Sequence, residues 1–188
     1  MSSSAANVRH KLSVSDYYRM GDAGILHEDD RIELIEGELI DMAPIGSFHA
    51  TAVNRIMRQI YNAVSEPYVI SGQNPLRLSD LTEPQPDGMI LRPRDNDYAD
   101  AHPGPEDVIV LIEVSDSSLE YDKKVKVPLY ARHGVQEMWL FDLNGQRLER
   151  YTQPNETGYG HCETLDKTGK ISPTALPDVV IELSRILV

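Results

Sequence analysis

A chain of 188 residues with a formal net charge of −12 is long enough for one self-sufficient core, and too acidic to offer a general basic surface to a polyphosphate. Its one cysteine, Cys162, excludes an intramolecular disulfide and a cysteine metal cage, which fits a reducing compartment and leads to the expectation of a cytoplasmic protein. The opening MSSSAANVRHK lacks the apolar core of a signal peptide, and the longest apolar stretch, Val108 to Ile112, is far too short to cross a bilayer, so no membrane is expected among its partners. The acidity has a plain reading as a solvated surface that favours solubility, and any contact with phosphates would have to be local.

In chain order, residues 1–12 are small and polar and are expected to form a flexible N-terminus, with a single domain over 13–188. Ser13 to Met20 predicts a short helix capped by Ser13 or Ser15. Arg31 to Ile40 alternates on either side of Gly37, as two short strands around a tight turn or one bulged strand. After the break at Pro44 and Gly46, His49 to Ser65 has the apolar stripe of a helix in Ala52, Val53, Ile56, Met57 and Ile60. Ser47 is its expected N-cap, with His49 in the first turn.

Strands are expected at Tyr68 to Ile70 and Pro75 to Leu78, and again at Gln85 to Leu91, entered through a proline. Val108 to Val114 is apolar on both faces until Glu113, as a central strand should be. Asp122 to His133 predicts a helix stopped by Gly134, with a late start or kink at Pro128. Gln136 to Asp142 and Gln146 to Thr152 predict a hairpin around Asn144-Gly145. The segment from Asp178 to Val188 reads as a closing strand or a short helix. The sequence contains no internal repeat and no linker to a second domain.

Three residues stand out for their chemistry: Asp87 after Pro86 at a strand start, Glu113 near the end of the apolar strand, and Lys126 on the helix that follows. Magnesium is held by one or two carboxylates with water and phosphate oxygens. It neutralises charge developing on a phosphate and lowers the pKa of a bound water. A nearby lysine can orient that water or stabilise the transition state. Each residue also has a bland reading. Asp87 fits a Pro-Asp-Gly turn, and Lys126 fits a surface lysine paired with Asp122 at i, i+4. Glu113 is harder to dismiss, because a carboxylate among such neighbours needs a cation or a metal.

The run Ile112-Glu-Val-Ser-Asp-Ser-Ser118, then Asp122, Lys126, Tyr130, Gly134-Val135 and Glu137-Met-Trp139, resembles the Uma family of "putative restriction endonucleases" within the PD-(D/E)XK nuclease superfamily. Glu33-Leu-Ile-Glu-Gly-Glu38 followed by His49 resembles that family's opening motif, and Pro86-Asp87 its middle one. The resemblance extends from about Asp16 to the C-terminus. It rests on the order and spacing of the motifs, since none is specific alone.

The resemblance implies an α/β restriction-endonuclease-like core, a mixed central β-sheet flanked by helices. It also implies a Mg2+-dependent endonuclease acting on DNA, with Mn2+ as an alternative ion. Asp87 and Glu113 take the acidic, metal-binding positions. The general pattern has its lysine two residues after the acidic position, where this chain has Ser115, and Lys126 takes over that work. Glu33 and His49 are second-tier catalytic candidates. Glu38 competes with Glu33, and His49 could equally be a capping or surface residue. Tyr130 reads as packing or a lid, Trp139 as core, and Glu36 has no assigned role.

Three functions fit these residues: a DNA endonuclease, a catalytically inactive protein on the same fold whose carboxylates and lysine form a buried network, and a homodimeric interaction module compatible with either.

Overall fold

A computed structural model of the chain describes residues 9–27, 29–65 and 67–187. The first helix, α1 (Val14–Asp22), starts at a capping box in which Asp16 N–H donates to Ser13 Oγ (3.1 Å) and Ser13 N–H to Asp16 Oδ2 (2.9 Å). Of the expected flexible N-terminus, residues 1–8 lie outside the described residues. Leu12 N–H, at its end, donates to Gly37 O (3.0 Å).

Gly37 is the tip of an antiparallel hairpin, β1 (Ile32–Ile35) and β2 (Glu38–Asp41), so the two-strand reading of this segment holds. Glu36 and Gly37 both have positive φ (51° and 77°), the backbone a tight hairpin turn requires. A Cβ at Gly37 would also meet Lys11 Cβ at 2.7 Å.

Helix α2 (Ser47–Ala63) buries Ala52, Val53, Ile56 and Ile60 of the expected stripe, with Met57 partly buried against the same core. Its N-cap is Gly46, with no side-chain cap bond, and not Ser47, which is already helical.

The main sheet runs β3 (Val69–Ser71), β4 (Gly88–Leu91), β5 (Val108–Ser115), β6 (Glu137–Asp142), β7 (Arg147–Asn155), β8 (Gly158–Asp166) in that spatial order. Only the β5–β6 pair is parallel, so the sheet is mixed. The parallel pair needs a crossover. A helical run supplies it: α3 (Leu119–Tyr121), a π-helical turn (Asp122–Lys126) and α4 (Val127–Arg132).

This run begins three residues before the expected helix, and its irregularity is a wide turn and not a late start. Val127 N–H donates to Asp122 O across the π turn. The widening gives room where the Pro128 ring would otherwise press on the carbonyl four residues back. Gly134, at φ 85°, ends the run as expected.

The sheet is covered on both faces. Ile90, Ile112, Val114 and Phe141 pack with α2, while Met89, Leu111, Met138 and Leu140 pack with Leu129 and Tyr130 of α4. Trp139 is fully buried, as expected.

Two further expectations need correction. Pro75 to Leu78 is not a strand of the sheet: Leu76 N–H and Leu78 N–H turn back onto Pro84 O (2.9 Å) and Thr82 O (3.1 Å). Strand β4 starts at Gly88, because the residues before it bond to β1 instead, Glu83 N–H to Leu34 O at 2.7 Å. The chain closes with both alternatives in series, β10 (Ile181–Glu182) against β9 (Lys170–Ile171), then a 3-10 turn (Leu183–Arg185). No described helix is long and apolar enough to cross a membrane.

Candidate active site

The β4–β5 ladder ends with Gly88 opposite Ile112, so Asp87 and Glu113 stand across from one another at its limit. Strand alternation turns Glu113 to the face shared with Leu111, where the helical run packs. At this end of the sheet lies a cleft of about 470 Å3. All five sequence candidates, Glu33, His49, Asp87, Glu113 and Lys126, line it.

Each is held by backbone that the sequence explains. Glu33 comes in on β1, which is tied along residues 81–85, and its Oε1 accepts from Gln85 N–H (2.8 Å). His49 is the third residue of α2, and its Nε2 lies 3.1 Å from Asp87 Oδ2. Asp87 Oδ2 also accepts from Val114 N–H (2.9 Å), which locks the carboxylate to β5.

Lys126 closes the π turn, buried, with Nζ 3.1 Å from both Glu33 Oε1 and Glu113 Oε1. One turn on, Tyr130 OH donates to the same Glu113 oxygen at 2.7 Å. Tyr130 is therefore a direct partner of Glu113 rather than packing alone. Of the two competing glutamates, Glu33 lines the cleft, whereas Glu38 is exposed and paired with Lys11 (3.1 Å).

Asp122 is the residue that sequence reasoning underused. It does not form the i, i+4 ion pair with Lys126. Instead its Oδ2 accepts from Ser115 Oγ and Ser118 Oγ, both at 2.6 Å, and it lines the cleft. Ser115, where the general pattern has a lysine, is thus spent in joining β5 to the helical run. The signal in the sequence was weak, a serine pair ahead of an aspartate. Glu36, with no assigned role, is exposed and bonds Arg132 at 2.6 Å.

The electrostatics are unbalanced towards negative charge. Burial, with the Asp87, Asp122 and Glu33 carboxylates nearby, pushes the Glu113 carboxyl up to about 8, although the Lys126 ammonium opposes the shift. Burial works against charge on Lys126 too, but Glu113 and Glu33 outweigh it and keep the ammonium protonated well past neutral pH. The hydrogen bond to Asp87 raises the pKa of His49 against the pull of burial.

The donor set suits a hard cation. Both donors to Glu113 fall on Oε1, both donors to Glu33 on Oε1 and both donors to Asp122 on Oδ2, so the second oxygen of each takes no donor among the described residues. Asp87 Oδ1 meets only Gln73 Nε2, at 3.5 Å, among the described residues. Two residues of the cleft lining, His49 and Tyr121, have a buried polar atom, Nδ1 and Oη, without a partner among the described residues. No three His, Cys, Asp or Glu residues among those described form a metal cage by themselves. Magnesium does not require one, since it keeps several waters and takes one or two carboxylates.

The chain matches the Uma2 family model, described as "Putative restriction endonuclease", over residues 14–184. The chain belongs to this family. The match starts at α1 and includes every element that lines the cleft. A crystal structure described as "a putative nuclease belonging to DUF820 from Anabaena variabilis ATCC 29413" is similar to this chain with a TM-score of 0.71 and 16% identity. The likeness covers 94% of this chain and 97% of that one. At that identity it shows the fold, an α/β restriction-endonuclease-like core, in agreement with the mixed sheet. No curated protein matches the chain.

Proposed function

We propose that this family member is a divalent-metal-dependent endonuclease that hydrolyses phosphodiester bonds in DNA. Asp87 and Glu113 would hold Mg2+, or Mn2+ in its place. The observation that carries this reading is the convergence of Asp87, Glu113 and Lys126 on one cleft, with the ammonium 3.1 Å from the Glu113 carboxylate. When bound, the ion would neutralise charge growing on the phosphate and lower the pKa of a bound water.

The chain's own residues supply the rest. In hydrolysis a water oxygen bonds to phosphorus, the bond to the leaving sugar oxygen breaks, and the water's proton must find an acceptor. His49 lines the cleft, held to Asp87 through Nε2, and is the side chain placed to take that proton. An ammonium has three donors, and Glu33 and Glu113 take two from Lys126. The third remains to orient the water or to meet negative charge on the phosphate. Tyr130 and Glu33 act as positioning residues, one fixing Glu113 and the other Lys126. Two copies of the chain would let two clefts face two strands, a homodimer that sedimentation would reveal.

A second reading has its own observation. Lys126 already lies between two carboxylates, and Glu113 already has two donors, so the cluster is a self-contained buried network. On that reading the fold is retained without catalysis.

Incubation of supercoiled, linear and single-stranded DNA with the protein and Mg2+ or Mn2+ separates the two. The endonuclease reading predicts cleavage by the wild type, reduced at least about 100-fold in Asp87→Ala and Glu113→Ala. If wild type leaves every DNA intact with both ions, that reading fails and the network reading stands.

A further inference from the structure

Arg31, immediately before β1, is the cation of the cleft that no carboxylate claims among the described residues. Lys126 is held between Glu33 and Glu113, whereas Arg31 shows only an approach of Nη2 to Met42 Sδ at 4.0 Å, and no ion pair among the described residues. Arg55, Arg58 and Arg92 also show no ion pair among the described residues, but none of them lines the cleft. Arg77, Arg132 and Arg150 each find a carboxylate. Arg31 lies two residues before Glu33, so strand alternation points it to the same face, and its charge opposes protonation of His49.

Around it the cleft changes character. The chain from Met42 to Ile45, leading into α2, lines one wall with apolar side chains, and Ile45 is 39% exposed. Tyr121 brings a buried hydroxyl without a partner among the described residues. The cleft's 470 Å3 falls within the small-molecule range of about 300–1,000 Å3. A continuous duplex carries a charge roughly every 1.7 Å and is held by a track of cations along its backbone. This cleft offers one guanidinium without an ion pair among the described residues, on a chain of net charge −12.

We infer that the cleft takes one unpaired nucleotide at a time, from a single strand or a frayed end. Arg31 grips its phosphate, and the base lies against the wall from Met42 to Ile45. A guanidinium presents a planar fork of donors that matches a phosphate, and an apolar wall accepts the face of any base without reading its sequence. This inference rests on the cleft being a phosphodiester site and deepens that reading by naming the form of its substrate.

The test is a fluorescence-anisotropy titration of the full chain with a short labelled single strand and with the same sequence as a blunt duplex, with and without Mg2+. Cleavage is followed in parallel. The single strand should bind at least about tenfold more tightly than the duplex, and Arg31→Gln should weaken single-strand binding at least about tenfold. Arg31→Lys, a point charge without the fork, should restore only part of that loss. Arg58→Ala removes an exposed charge on α2 away from the cleft and should cost less than about threefold. Circular dichroism of each variant reports the fold.

The inference is overturned if the duplex binds as tightly as the single strand, if the single strand does not bind, or if Arg31→Gln behaves like Arg58→Ala. Arg31-dependent binding without cleavage would sink the hydrolytic reading and leave this one standing. Cleavage indifferent to Arg31 would do the reverse.

Discussion

Glu113 is pulled in two directions: burial and three neighbouring carboxylates favour its protonated form, while Lys126 favours the charged one. The first group prevails and lifts the carboxyl from its ordinary 4.5 to about 8. Between those values the folded chain holds a proton that the unfolded chain has released, so stability contributed at low pH is lost as pH rises through about 8. Urea denaturation in metal-free buffer across that window should show wild type losing stability with rising pH more steeply than Glu113→Gln. Equal slopes would remove the raised carboxyl from the account. Glu113 was legible in the sequence because nothing else in Val108 to Val114 is polar. Lys126 was not legible in this way; as one of three lysines in Lys123 to Lys126 it gained weight from the family pattern alone. Glu33 could not be told from Glu38 until the hairpin turn at Gly37 set which one entered the cleft. The serine clamp on Asp122 depends on the phase of the helical run, and a π turn changes that phase without a sequence marker beyond Pro128.

Elements with strong periodicity were readable, and those without it were not. Helix α2 and strand β5 announce themselves by an apolar stripe and an apolar run. Strand β8, Gly158–Asp166, was missed because it is an edge strand of mostly exposed, polar residues whose partner is β7 alone. Pro75 to Leu78 resembled a strand because Leu76 and Leu78 alternate, yet both are buried under a local loop and not in the sheet. The β1–β2 hairpin delivers Glu33 and Arg31 to the cleft, so its turn matters for function. Gly37→Ala would require a side chain at φ 77° and 2.7 Å from Lys11 Cβ. That substitution should cost about 1–3 kcal/mol in denaturant stability. An unchanged midpoint would mean that the turn relaxes freely and does not fix the approach of β1.

Across the molecule, the charge of −12 argues against a broad phosphate-binding surface, and the family match argues for a nuclease fold. The two are reconciled if affinity is concentrated in the cleft, where acidic side chains gather around Asp87 and Glu113 and a bound cation would offset their repulsion. Surface acidity then serves solubility, while the chemistry depends on a few buried groups at the end of the β4–β5 ladder. This whole-molecule balance could not be read in sequence, because the acids that line the cleft come from separate stretches of chain, on β1, β2, the approach to β4, β5 and the helical run. Isothermal titration calorimetry with Mg2+ tests the central claim most directly. The account predicts saturable binding by wild type that is lost in both Asp87→Ala and Glu113→Ala; no binding by wild type, or binding unchanged in either variant, would contradict it.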